Sequence, residues 1–155
     1  MPEKLTWQSE LERVRRSDRS RANAKKGNKT EDIAKRALED MGLLCVESIN
    51  RDWIIRWGYD PIKKRQKVID AIPKKKIAGD MTAIEPSTGR FVLIEVKSKD
   101  TKTLPYSVLE DHQVQSLNAK MAAGAICLLV WVRLGEVKIY RWPIENFKPK
   151  KSLRW

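Results

Sequence analysis

Residues 78–100 read AGDMTAIEPSTGRFVLIEVKSKD, and the folding of this stretch decides the fold of the chain. Pro86-Ser87-Thr88-Gly89 has a turn composition, and the aliphatic runs on either side have strand composition, which predicts a β-hairpin. Counting outward from the turn sets Glu85 against Arg90, Ile84 against Phe91, Ala83 against Val92 and Thr82 against Leu93. The same count sets Asp80 opposite Glu95, with Cβ atoms about 4.5–5.5 Å apart. Strand alternation puts Lys97 on the face of Glu95 and Val96 on the other face. Two carboxylates and an ammonium thus meet at one end of a hairpin that is otherwise building a core.

Opposed carboxylates beside apolar strands need a remedy: a raised pKa on one of them, or a cation between them. Mg²⁺ prefers oxygen ligands, uses one or two carboxylates, and completes its shell with water and phosphate oxygens. Such an ion activates water and polarises a phosphoryl group, and a neighbouring lysine stabilises developing charge. The other reading of the same residues is a salt bridge among Asp80, Glu95 and Lys97, since Glu-x-Lys pairs are common on strands.

Outward from the hairpin, the pattern alternates helices and strands. Asn28-x-x-Glu31 before Ile33, Ala34, Ala37, Leu38 and Met41 predicts a capped helix closed by Gly42. LLCVESI (43–49) and WIIRW (53–57) read as strands, and 58–79, rich in Lys, Arg, Gly and Pro, as a loop or excursion from the core. A second helix follows Pro105, with Ser107-x-x-Glu110 as its capping box and Gly124 as its stop. AICLLVWV (125–132) and VKIYRW (137–142) read as closing strands, joined by a turn at Leu134-Gly135-Glu136. The expected organisation is a basic arm over 1–26, one α/β domain over 27–147 and a loose basic tail over 148–155.

The 155 residues, 41% hydrophobic and 34% charged, suffice for one globular domain with its own core. The formal net charge of +12 favours a polyanionic partner, above all nucleic acid, although a merely soluble basic protein is the plainer reading. MPEKLTWQSELERVRR never opens into an apolar signal region, and AICLLVWV is far shorter than the ~20 residues of a membrane helix. Cys45 and Cys127 stand singly, which predicts buried free thiols in a reducing compartment and no zinc site. No membrane partner and a cytoplasmic location are expected.

Asp80, fourteen residues, then Glu95-Val96-Lys97 resembles the motif of the PD-(D/E)XK nuclease superfamily. Together with KGNKTEDIAKRALEDMG, GDMTAI, LIEVKSKD and EDHQVQSLNAKMAAGAICLLVWV it is similar to Holliday-junction resolvases of the RecU type over residues 26–142. Archaeal-type resolvases share the KG…E opening and the EVKS segment. The resemblance implies a restriction-endonuclease-like α/β core, a mixed central β-sheet flanked by helices, and a nuclease domain over 27–147. It implies Asp80 and Glu95 as metal ligands with the carbonyl of Val96, Lys97 as the catalytic lysine, and Glu31 as a further acid of the site. By sequence alone, Glu31 also reads as a first-turn acid complementing its helix dipole. Gln113, the polar member of the stripe Leu109, Gln113, Leu117 and Met121, is either a hydrogen-bonded core residue or part of the site.

The activity so implied is Mg²⁺-dependent endonucleolytic cleavage of DNA, with Mn²⁺ as a substitute. The substrate would be a four-way junction and the enzyme a homodimer, associated with the nucleoid of a bacterial cell or a phage-infected host. Lys25, Lys26, Lys29, Lys63, Lys64, Arg65, Lys74, Lys75, Lys76, Lys99 and His112 are the candidate DNA contacts. Other expectations are a nuclease of different specificity, acting on flaps, ends or duplex, and a non-catalytic DNA-binding protein. Two departures stand out. Gly79 occupies the place of the superfamily's Pro, or the RecU type's Thr, and Ser98-Lys99 follow the archaeal-type pattern.

Overall fold

The computed structural model describes residues 7–49, 53–60, 62–73 and 79–155. The first element is one long helix, α1 (Trp7–Asp40), so Asn28 lies inside a helix and caps nothing. The expected helix start is wrong for a local reason. Residues 7–26 are rich in Arg, Lys, Glu and Ala, all good helix formers, and the lone Gly27 costs only about 1 kcal/mol. The stop at Gly42 holds. Gly42 sits at φ 97, its N–H bonds the Glu39 carbonyl (2.9 Å), and the Leu43 N–H bonds that of Leu38 (3.1 Å). That pair of bonds needs a left-handed residue, which glycine supplies without a Cβ penalty.

Strands β1 (Leu44–Ser48), β2 (Trp53–Asp60), β3 (Arg65–Pro73), β4 (Met81–Ile84), β5 (Phe91–Ser98) and β6 (Thr103–Pro105) follow. After a single 3₁₀ turn come α2 (Asp111–Ala122), β7 (Ile126–Arg133), β8 (Glu136–Arg141) and β9 (Ser152–Arg154). The central sheet is mixed, in the order β1-β4-β5-β7-β8, with β5 and β7 parallel and the other neighbours antiparallel. An α/β architecture with a mixed sheet between two helices is therefore present. The expected excursion over 58–79 is in part β-structure: β2 and β3 pair into a two-stranded ribbon separate from the central sheet.

Successive residues of β5 and β7 point to opposite faces and build two cores. Ala34 and Leu38 of α1 pack with Met81, Val92, Ile94, Val96, Leu128 and Val130 on one face. On the other, Leu109 and Leu117 pack with Leu93, Leu104, Cys127, Leu129 and Trp131. Cys127 is buried as expected, and burial pushes its thiol up. Cys45 is exposed, at φ 51 where the β1–β4 register shifts.

Two further expectations are corrected. The capping box of α2 is Glu110-x-x-Gln113, one turn after Ser107, because Tyr106–Val108 form the 3₁₀ turn first. The tail is not loose: β9 pairs with β6, and the Trp155 ring meets that of Trp131 edge to face at 4.9 Å. Arg133 and Lys138 lie over the Trp155 ring at 5.4 and 5.1 Å. A ring lying against the Trp131 indole and two cations explains why a basic tail docks. Among the described residues no helix is long and apolar enough to cross a membrane. Trp155→Ala should lower stability by about 2 kcal/mol, read by urea unfolding, since it uncovers the fully buried Trp131.

Candidate functional site

The hairpin register is the one the sequence dictates. Ile84 pairs with Phe91, Ala83 with Val92, Thr82 with Leu93 and Met81 with Ile94, and the Glu85 N–H bonds the Arg90 carbonyl. Asp80 stands one residue beyond the last pair, its N–H on the Ile94 carbonyl (2.8 Å). One carboxylate oxygen of Asp80 accepts the N–H of Val96 at 2.8 Å. The Asp80 carboxylate is thereby fixed at the seam between the two faces of β5.

Glu95 is 1% exposed, and its carboxylate is met by donors from the chain before β4, from β5 itself and from α2. Its Oε2 accepts the Gly79 N–H (3.0 Å). Its Oε1 accepts the Lys97 ammonium (2.9 Å) and the side-chain amide of Gln113. Gln113 in turn accepts from Lys97 (3.0 Å) and from the Glu110 N–H (2.9 Å) through its Oε1. A single side chain thus caps α2 and ties its first turn to the ion pair on β5. Burial, and next the Asp80 charge, raise the Glu95 carboxyl above its ordinary range, while Lys97 pulls it back. Glu95 and Lys97 thus form an ion pair on β5.

Gly79, the departure from the family pattern, has a physical reason. It sits at φ 92, and a Cβ there would come within 2.5 Å of Leu93 Cδ1 and 3.3 Å of Ile49 Cδ1. Neither proline nor threonine fits this position, since proline lacks the N–H that Glu95 uses and both carry a Cβ.

On the α1 side of β5 a cavity of about 330 Å³ opens, lined by Lys26, Gly27, Thr30, Glu31, Asp80, Val96 and Ser98. Glu31 lies deep within α1, which removes its reading as a first-turn acid, and its Oε2 accepts the Ser48 hydroxyl (3.2 Å). Glu31 is half-buried and Asp32 exposed, in keeping with the buried stripe of Ala34 and Leu38. The structure thus brings Glu31, Asp80 and Val96 to one cavity. It gathers Glu95, Lys97 and Gln113 into one bonded cluster on the α2 side, and the two groups meet at Asp80. Among the described residues, no three His, Cys, Asp or Glu side chains are gathered closely enough to hold a metal by themselves. Glu31 and Asp80 bring two carboxylates to this lining and Thr30 and Ser98 two hydroxyls, oxygen donors of the kind that suits a hard cation keeping water or phosphate in its shell.

Sequence reading missed Ser48, which steadies Glu31. Its signal was faint: one hydroxyl at the end of the apolar run LLCVESI. Lys25, Lys26 and Lys29 are exposed on α1, and Lys26 and Gly27 reach the cavity rim. Lys63 and Lys64 lie in the turn of the β2–β3 ribbon and Arg65 begins β3; Lys74, Lys75 and Lys76 lie outside the described residues. Lys99 follows β5, half-buried, its carbonyl accepting the Trp131 indole N–H. His112 is away from the cavity, 3.2 Å from Glu110 beside a separate hollow that Lys150 also lines.

Neither family models nor curated protein sequences match this chain. The resemblance to junction resolvases therefore stands on the motif residues and their spacing.

Gly79→Ala should destabilise the protein by about 2–3 kcal/mol in urea unfolding, through the clash with Leu93 and the positive φ. Glu95 yields a pH prediction. A carboxyl raised in the fold binds its proton more tightly there than in the unfolded chain. Its contribution is full below the ordinary carboxylate range and is lost as pH rises through the raised value. In metal-free buffer, wild-type stability relative to Glu95→Gln should fall with rising pH across that window. Parallel pH profiles for the two proteins would contradict the assignment.

Proposed function

We propose that the protein is a Mg²⁺-dependent, structure-selective DNA endonuclease that cuts four-way junctions symmetrically as a homodimer. The observation that carries this reading is the junction of two groups at the end of one hairpin: the cavity bounded by Glu31, Asp80 and Val96, and the Glu95–Lys97–Gln113 cluster behind it. The net charge of +12 supports a polyanionic substrate. The restriction-endonuclease-like core and the preference for junctions come from the motif resemblance, and the homodimer from that resemblance and the symmetry of the substrate.

Asp80, Glu31 and the Val96 carbonyl would hold the cation, with Glu95 adding negative potential beside them. When bound, the metal would supply an activated water and polarise the scissile phosphate. The protein's own contribution is positioning and charge. Val96 N–H fixes the Asp80 carboxylate, Ser48 steadies Glu31, and Gln113 holds Lys97 part-exposed, where its ammonium can stabilise charge developing on phosphate. Lys25, Lys26 and Lys29 on α1 and the basic turn of the ribbon would contact flanking phosphates.

A second reading, a non-catalytic DNA-binding protein, is favoured by the completeness of the Glu95–Lys97 pair, which satisfies both charges without a metal. Incubation with a mobile four-way junction and with matched linear duplex, with and without Mg²⁺, separates the readings. Paired nicks confined to the junction support the first, and cuts in both substrates indicate a nuclease of other specificity. Metal-independent binding without cleavage rejects the nuclease. Asp80→Asn should reduce cleavage at least ~10³-fold while leaving junction binding equal or tighter, because it removes negative charge next to phosphate. Lys97→Ala should lose cleavage with metal affinity less affected.

A further inference from the structure

A second cavity, of about 320 Å³, lies between α1 and the β7–β8 hairpin and is lined by Lys26, Lys29, Thr30, Ile33, Ser98, Asp100, Val132, Leu134 and Gly135. It shares Lys26, Thr30 and Ser98 with the Asp80 cavity, so the two stand on either side of one wall. Lys26 and Lys29 bring positive charge to it and Ser98 and Thr30 bring hydroxyls, whereas Ile33, Val132 and Leu134 are apolar. A volume near the lower end of ordinary ligand pockets, with a cationic edge and an apolar lining, fits one nucleotide: the base on the aliphatic side chains, the phosphate at the lysines.

The hairpin turn supplies an independent sign. Arg133 pairs with Glu136, so Leu134 and Gly135 form a two-residue loop, with φ 49 and 87. The first position of such a loop favours Asn, Asp or Gly. A leucine there contradicts the local preference, and it is 70% exposed, so the departure is not for the sake of the core. Departures of this kind concentrate at functional sites. Asp100 braces the loop: its Oδ1 accepts the Leu134 N–H (3.3 Å), its carbonyl accepts Arg133 Nε (3.3 Å), and its Oδ2 pairs with Lys26 (3.3 Å). The Lys26–Asp100 pair is about half exposed, so a phosphate can compete for the ammonium.

We infer that this cavity is a subsite for one unstacked nucleotide adjacent to the scissile phosphate, with Leu134 supplying apolar contact to the base and Lys26, released from Asp100, contacting its phosphate. The inference rests on the nuclease reading of the neighbouring cavity and adds a specificity element to it. A base that has left its stack is available at a branch point and unavailable inside intact duplex, so the subsite would favour branched over linear DNA.

The test uses the full chain in EDTA, so that no cleavage intervenes, with a four-way junction carrying 2-aminopurine at successive positions around the branch. Binding of the wild type should raise the fluorescence at one position as that base unstacks. Leu134→Asn places Asn-Gly in the turn, the pair this loop prefers, and should keep or raise the melting temperature. The same variant should lose the fluorescence rise and weaken junction binding roughly fivefold, with duplex binding unchanged. Asp100→Asn should tighten binding, and Lys26→Ala should make log K against log salt shallower by about one. Equal fluorescence and affinity for wild type and Leu134→Asn would overturn the subsite while leaving the nuclease reading intact. Unchanged DNA binding with a shift from dimer to monomer in Leu134→Asn would assign the cavity to a second copy of the chain, and so overturn it too. A wild type that neither binds the junction in EDTA nor cuts any DNA with Mg²⁺ would remove both readings together, whereas cleavage with Mg²⁺ but no binding in EDTA would overturn the subsite alone.

Discussion

A carboxylate withdrawn from water within β5 is the constraint around which the rest of the molecule is arranged. Burying an ionised group without partners costs more than a small domain can spare, so Glu95 must be met by donors on every side. Those donors come from three places: the Gly79 backbone ahead of β4, Lys97 two residues along β5, and Gln113 at the start of α2. Each requirement fixes an element. The chain before β4 must carry glycine at a positive φ, α2 must begin so that Gln113 falls at its third position, and β5 must keep Lys97 on the same face. Among the described residues no buried polar side-chain atom is left without a partner, so the cluster is closed.

Because strand neighbours face opposite ways, the site is divided by the sheet. Glu95, Lys97 and Gln113 belong to the α2 side, and Val96, Ser98 and Glu31 to the α1 side. Asp80 joins them: its carboxylate is bonded to Val96 N–H, lines the α1-side cavity, and raises the Glu95 carboxyl from across the seam. A cation near Asp80 would relieve the repulsion that Glu95 feels. The pair on the other face would remain bonded to Gln113. Anion repulsion in the free protein and the proposed cation affinity would then be two views of the same arrangement.

The parts of this arrangement that were legible in the sequence are those governed by short-range rules. Strand alternation and a four-residue turn gave the hairpin register down to Met81 and Ile94, and glycines marked both helix ends. One miss is local: the Arg, Lys, Glu and Ala residues upstream of Asn28 are good helix formers, and their charge made a solvated arm look equally suitable. The other misses depend on distant contacts. The sequence pattern marked Ser107-x-x-Glu110 as the capping box, whereas the box that forms is Glu110-x-x-Gln113, whose Gln113 is also bonded to Glu95 and Lys97 on another element. The tail looked unstructured by charge, yet it docks because Trp131 offers an indole edge to Trp155. Gly79 looked like a defect in a motif until its φ and its approach to Leu93 were known.

The continuity of α1 has a mechanical consequence that a separate flexible arm would not have. Gly27 and Glu31 line the Asp80 cavity, while Lys26, Lys29 and Ile33 line its neighbour, all from successive turns of one helix. A rise of about 1.5 Å per residue sets the spacing between the acidic centre and the lysines. A flexible arm would pay ordering entropy each time it met a phosphate, whereas residues already in a helix do so at less cost. The acids would otherwise repel a polyanion. Under the proposed function, lysines held beside them on the same helix would let a phosphate approach the carboxylates while favourable charge stays within a turn of the helix. Lys26 stands where these demands meet, on the wall between the two cavities and 3.3 Å from Asp100.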